Sequence, residues 1–171
     1  RDRAALLERN SAIGVRLIAM SKAHDLLLRA DWPSADLALV IKGAADQHDS
    51  VAGRIAVEGE ALEVASATIL PLSLLFNELC TNATKYGALS NDDGAVEISW
   101  PTDDNNLVLC WVEKGEPPVA PPRLKSFGTR LIENGIPRQI GGTGVLSFPP
   151  SGAVFELTVP LARLQPAADA G

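Results

Sequence analysis

The sequence predicts an α+β domain, on three observations. Helical periodicity governs the first stretch, Asp2 to Ala30, and a second helix candidate runs from a cap at Ser34 to about Gln47. A long apolar helix ends near Tyr86. Four strand candidates, Ala95 to Trp100, Leu107 to Val112, Val145 to Phe148 and Val154 to Val159, come late in the chain and follow the helices instead of alternating with them. That order belongs to an α+β fold, not to a doubly wound sheet.

Each element has a local reason. In the first helix Leu6, Leu7, Ile13, Leu17, Met20, His24 and Leu27 make one apolar stripe, which needs a partner helix to be covered. Asp31-Trp32-Pro33-Ser34 breaks it. Arg54 to Gly59 alternates like a strand. The start of the long helix is open, because Pro71 fits best in a first turn while the apolar pattern is compatible with an earlier one. Lys114 to Lys125 is a loop rich in Gly and Pro, Gly128 to Ile140 a helix, and Gly141-Gly142 the turn that ends it. Gln165 to Gly171 reads as a frayed tail.

The 171 residues suit one domain plus a small appendage, and 46% hydrophobic residues suffice for a core. A net charge of −6 disfavours a phosphate backbone as partner, so no nucleic acid is expected. It does not disfavour a small nucleotide in a local pocket. No apolar run reaches the roughly 20 residues of a membrane span, so no membrane contact is expected either. Cys80 and Cys110 form no ligand pair, lie in apolar stretches and read as buried thiols in a reducing compartment. A chain opening at Arg1 in mid-helical pattern reads as a fragment of something longer.

The segment Phe76 to Gly87 carries the most chemistry. Leu72, Leu75, Phe76, Leu79 and Ala83 form one face, while Glu78, Asn82 and Lys85 share another, with Tyr86 one turn beyond Asn82. A carboxamide oxygen is a hard ligand for Mg²⁺. An ammonium neutralises phosphate, and a carboxylate orients or deprotonates an attacking group. The same spacing also describes a solvated helix face with a salt bridge, and spacing alone does not decide between the two.

The string Glu78-Leu79-Cys80-Thr81-Asn82-Ala83 resembles the N box of histidine kinases, in the superfamily they share with gyrase-type and MutL-type ATPases. The continuation Lys85-Tyr86-Gly87-Ala88-Leu89-Ser90 is similar to HWE-type sensor histidine kinases in particular, as is Trp111-Val112-Glu113 at a strand end. The resemblance implies a two-layer α/β sandwich with a mixed sheet, the Glu78–Asn82 helix lying across one face. It implies ATP and Mg²⁺ as cofactors, with Asn82 on the metal, Lys85 and Tyr86 beside the phosphates, and Glu113 accepting from the adenine amine. Gly115 lies where backbone approaches the base, Gly128 and Thr129 at a phosphate turn, and Glu78 at the position of an assisting acid. Three positions depart from the pattern. Asn77 stands where the HWE group has His, Glu116 follows Gly115 in place of Gly, and Ser126 replaces the first glycine of the phosphate turn. Glu78, Asn82 and Glu113 remain, so ATP binding is expected to survive.

The resemblance divides the chain into 1–32, the second helix of a dimerisation hairpin, 33–163, an ATP-binding catalytic domain, and 164–171, a flexible tail. It implies a cytoplasmic bacterial protein that is a homodimer through the first helix and has a response regulator as partner. His24 reads as a packing residue downstream of the phosphoacceptor, His48 as a solvated loop residue, and the acceptor histidine as lying upstream of Arg1. Two other readings stay open: a nucleotide-free docking scaffold, and a superfamily ATPase or serine kinase in which Glu78 activates water or a hydroxyl.

Overall fold

The computed structural model describes residues 34–49, 53–101, 103, 105–115 and 127–166. The helix expected over Asp2 to Ala30, His24, Glu116 and Ser126 lie outside them.

The chain enters as a short strand, β1 (Ser34–Asp36), which pairs antiparallel with β3 (Glu63–Ala65). Helix α1 (Leu37–Ala45) starts later than Ser34, because Asp36 is the cap: its Oδ1 accepts the Ala38 N–H at 2.7 Å. Ser34 uses its hydroxyl elsewhere, donating to Glu63 Oε2 at 2.8 Å. Strand β2 (Ile55–Gly59) matches the alternation that predicted it.

Helix α2 (Ser66–Tyr86) begins well before Pro71, which becomes its sixth residue and is buried. A proline there costs the helix one N–H, the one that would bond Ala67. The continuous apolar run beyond it, Leu72, Leu75, Phe76, Leu79, Cys80 and Ala83, all at most 3% exposed, offsets that cost by burial. Gly87 ends the helix in extended backbone, and a 3₁₀ turn (Ala88–Ser90) leads to β4 (Ala95–Trp100).

Strands β5 (Asn106–Lys114), β6 (Thr143–Ser147) and β7 (Val154–Pro160) complete a five-stranded sheet in the order β2-β4-β5-β7-β6. The pair β2–β4 is parallel and the other three pairs are antiparallel, so the sheet is mixed. Its parallel pair requires a crossover, which α2 supplies. Residues Val96, Ile98 and Trp100 of β4, Leu107, Leu109 and Trp111 of β5, and Phe155, Leu157 and Val159 of β7 alternate into the core against Leu37, Ile41, Leu72, Leu75 and Phe76. Cys110, on the other parity of β5, is half-exposed and not the buried thiol expected, whereas Cys80 is buried.

The helix expected over Gly128 to Ile140 is wound unevenly. It comprises α3 (Phe127–Arg130), a π-helical turn (Leu131–Gly135) and α4 (Ile136–Gln139). Pro137 cannot donate to Glu133, and the Ile136 N–H reaches five residues back to Leu131, which widens the turn. The chain then turns at Gly141-Gly142 as expected. After β7, α5 (Leu161–Leu164) packs onto the domain. Leu164, assigned by sequence to the tail, is fully buried.

Candidate functional site

Two elements build the site, the C-terminal half of α2 and the end of β5. On α2, Glu78, Asn82, Lys85 and Tyr86 fall on successive turns as expected, but their environments differ. Glu78 is 4% exposed, Asn82 is half-buried, and Lys85 and Tyr86 are open to solvent. A solvated-face reading therefore fails for Glu78. The helix interior is further tied by Thr81 and Thr84, whose hydroxyls donate to the carbonyls of Asn77 and Cys80, each at 2.8 Å.

Asn77 precedes Glu78 and is 1% exposed. Its Oδ1 lies 3.1 Å from His48 Nε2, at the end of the turn that follows α1. The expectation of a solvated His48 is thus corrected: the ring is half-buried and serves as the hydrogen-bond partner that a buried carboxamide needs.

On β5 the period-two alternation decides the fate of Glu113. It has the parity of Leu107, Leu109 and Trp111, so its side chain faces the helices and is 5% exposed. Its N–H donates to the Ala153 carbonyl at 2.9 Å, and its Cα pairs with Val96. The carboxylate meets the end of α2: a β-carbon on Gly87 would lie 2.6 Å from Glu113 Oε1 and 3.1 Å from the Ala83 Cα. Only a residue without a side chain leaves room for that approach. Burial pushes the Cys80 thiol up, and the negative charges of Glu113 and Asp49 add to the effect, so both carboxylates act on the inner side of α2.

Past Glu113 the chain turns through Gly115, which has φ +76 and where a β-carbon would lie 3.1 Å from the Asp93 carbonyl oxygen. Asn91 spans the same gap, its Nδ2 donating to the Gly115 carbonyl at 3.2 Å. The structure thus joins Glu113 and Gly115 to the helix that carries Glu78, Asn82, Lys85 and Tyr86. Gly128 and Thr129 are on α3, with Thr129 7% exposed, and their link to α2 runs through the π-wound turn and α4, both of which pack on α2.

Sequence reasoning missed His48, Asn91 and Arg54, which hold these pieces together through long-range contacts. Asn91 lies in a visible turn signal, Ser90-Asn91-Asp92-Asp93-Gly94, but nothing local names its partner Gly115. Among the described residues no three His, Cys, Asp or Glu side chains gather as a metal cluster, and no helix is long and apolar enough to cross a membrane.

Comparison with known proteins shows what the chain is similar to. Residues 1–61 match the HWE histidine kinase family. The chain is 36% identical over 157 residues to a blue-light-activated histidine kinase of Brucella anthropi, covering 89% of this chain and 32% of that protein. It is 33% identical, over the same shares, to the protein of that description from Brucella abortus. The chain therefore spans about a third of the length of these relatives, and blue-light activation is said of them alone. Among solved structures, the histidine kinase domain of the Erythrobacter litoralis EL346 blue-light activated histidine kinase superimposes with a TM-score of 0.70. It has 16% identity and covers 89% of this chain and 76% of that one, a likeness of fold.

Proposed function

We propose, from the match of residues 1–61 to the HWE histidine kinase family and the 36% identity over 157 residues to a histidine kinase, that this chain is the Mg-ATP-binding catalytic part of a two-component histidine kinase of that family. The observation that carries this reading is the buried carboxylate of Glu113, held on the helix side of the sheet at the foot of α2. A buried acceptor rewards a purine amine and penalises a keto group, which selects ATP over GTP. Gly115, in left-handed backbone, turns the chain at the strand end and seats it against Asp93 and Gly94.

Mg²⁺ fits the donors present. A hard cation takes oxygen ligands, and the half-buried Asn82 carboxamide offers one on the same helix strip as Lys85. The nucleotide phosphates would offer further oxygen ligands of the same hard kind. When bound, the ion neutralises phosphate charge. Lys85 adds an ammonium in the last turn of α2, Tyr86 flanks it, and Gly128 and Thr129 lie at the start of α3 as phosphate contacts. Glu78 orients the incoming imidazole and takes its proton. The bond between the γ-phosphorus and the bridging oxygen breaks as the nitrogen–phosphorus bond forms. Most of the rate comes from positioning and charge neutralisation.

The histidine lies upstream of Arg1 in this reading. The phosphoryl group passes on to an aspartate of a response regulator, the protein is a homodimer through its first helix, and it works in the bacterial cytoplasm. Titration calorimetry tests the core of the proposal. Mg-ATP is expected to bind in the micromolar to millimolar range, with binding lost without Mg²⁺ and much weaker with GTP. Absence of any ATP binding would leave the docking scaffold in its place, and steady phosphate release without an acceptor would favour an ATPase.

A further inference from the structure

Three main-chain carbonyls converge on one guanidinium. Arg54, immediately before β2, donates from Nε to the Gly94 carbonyl at 2.8 Å and from Nη2 to those of Ala88, at 3.0 Å, and Asn91. Those carbonyls span the connection from the end of α2 to the start of β4. Arginine suits the task because its planar fork presents several donors in fixed directions, which a single ammonium does not.

The clamped connection is the wall against which the Glu113 corner rests. Gly87, at its start, contacts the Glu113 carboxylate, and the Ser90 hydroxyl donates back to the Gly87 carbonyl at 2.6 Å. Asn91, in its middle, accepts through Oδ1 the N–H groups of Asp93 at 3.1 Å and Gly94 at 2.7 Å, and donates through Nδ2 to Gly115. Asp93, near its end, packs its carbonyl on Gly115. One cation thus fixes the segment that sets the spacing between Gly87, Glu113 and Gly115.

We propose that Arg54 is a positioning residue for base recognition: it holds the 88–94 connection so that Glu113 and Gly115 keep the geometry that selects an adenine amine, without touching the nucleotide itself. This rests on the reading of Glu113 as the base acceptor. The side chain can be altered while the sheet stays paired, because the Arg54 carbonyl accepts the Val96 N–H at 2.8 Å whatever the side chain is.

The test compares wild type, Arg54→Met, Arg54→Lys and Asn91→Asp by titration calorimetry with Mg-ATP and Mg-ITP, beside thermal melts. ITP carries a keto group where ATP carries the amine. In Arg54→Met the ATP affinity is expected to fall roughly tenfold while that for ITP barely changes, so the preference for ATP collapses. Arg54→Lys recovers part of it. Asn91→Asp keeps the turn acceptor, loses the donor to Gly115, and shows the same loss of preference in milder form. A merely structural Arg54 would weaken both nucleotides alike with the melting temperature, and that result overturns the inference, as does an unchanged ATP-to-ITP ratio. If Arg54→Met does not fold, Arg54→Lys and Asn91→Asp decide by the same ratio. Wild type that binds no Mg-ATP overturns the functional reading itself and this inference with it.

Discussion

Glu113 and Gly87 are in direct apposition: a methyl group on Gly87 would lie 2.6 Å from Glu113 Oε1, at the point where helix α2 meets strand β5. If Glu113 receives the base as proposed, the contact makes Gly87 part of that recognition. Gly87→Ala is expected to displace the carboxylate and weaken Mg-ATP binding roughly tenfold, while overpacking lowers stability by about 1–3 kcal/mol. Calorimetry and thermal melting check both. Unchanged ATP affinity in a folded Gly87→Ala protein would mean that this carboxylate does not meet the base.

Asn82 offers a cleaner separation of binding from folding. It is half-buried on an otherwise well-packed helix, and alanine is the better helix former by up to about 0.7 kcal/mol. Asn82→Ala should therefore melt at or slightly above the wild-type temperature and lose the Mg²⁺ dependence of ATP binding. A variant that keeps full Mg-dependent affinity would remove Asn82 from the metal site.

Asn82 and Glu113 were legible in the sequence for different reasons. The α2 strip follows from 3.6-residue spacing, whereas Glu113 was marked only by the resemblance at Trp111-Val112-Glu113, and its inward aim comes from β5 running on to Lys114 with Glu113 on the parity of Trp111. The contacts that fix the corner were not legible. Arg54 and Gly94 are 40 residues apart, and His48 and Asn77 are 29 apart. No local pattern encodes which distant group a polar side chain will find. The late start of α1 and the π-wound turn have a similar origin. At α1 two candidate caps compete within three residues, and only the tertiary pairing of Ser34 with Glu63 leaves Asp36 to serve. At the turn Pro137 removes a donor, and the register adjusts around it.

His48 and Asn77 give a prediction about stability. Removing His48 leaves the Asn77 carboxamide, 1% exposed, without its partner on that oxygen. Leaving a buried polar group unsatisfied costs about 1–3 kcal/mol. His48→Ala and Asn77→Ala should each lower the denaturation midpoint, and the double variant should lose less than the sum, by at least about 0.5 kcal/mol. Strict additivity would show that the hydrogen bond contributes nothing to folding.

The two thiols should be distinguishable by alkylation. Burial pushes the Cys80 thiol up, aided by Glu113 and Asp49, so neither access nor ionisation favours its reaction. Cys110 is also raised, by burial and then by Glu156, but it is half-exposed on the outer face of the sheet. Iodoacetamide near neutral pH should modify one thiol slowly, identified as Cys110 by peptide mapping, and the second only on unfolding. Labelling of Cys80 in the folded protein at a comparable rate would contradict its placement on the buried face of α2.

Acid stability should carry a signature of Asp103. In the turn between β4 and β5 its Oδ1 accepts the N–H groups of Asn105 at 2.9 Å and Asn106 at 2.6 Å, and these bonds hold the carboxyl below the usual carboxylate range. A depressed folded-state value means that the unfolded chain takes up the proton first. The contribution is therefore fully present above the unfolded value of about 3.9 and is lost as pH falls through the lower, folded one. The melting temperatures of wild type and Asp103→Ala should differ by a constant amount from pH 7 down to about pH 5, and then converge on further acidification. The gap is expected to be small, because the carboxylate is solvent-exposed and screened. Calorimetric melts across that range decide the matter: a gap that stays constant into strong acid would show that the turn is held by something other than this ionised side chain.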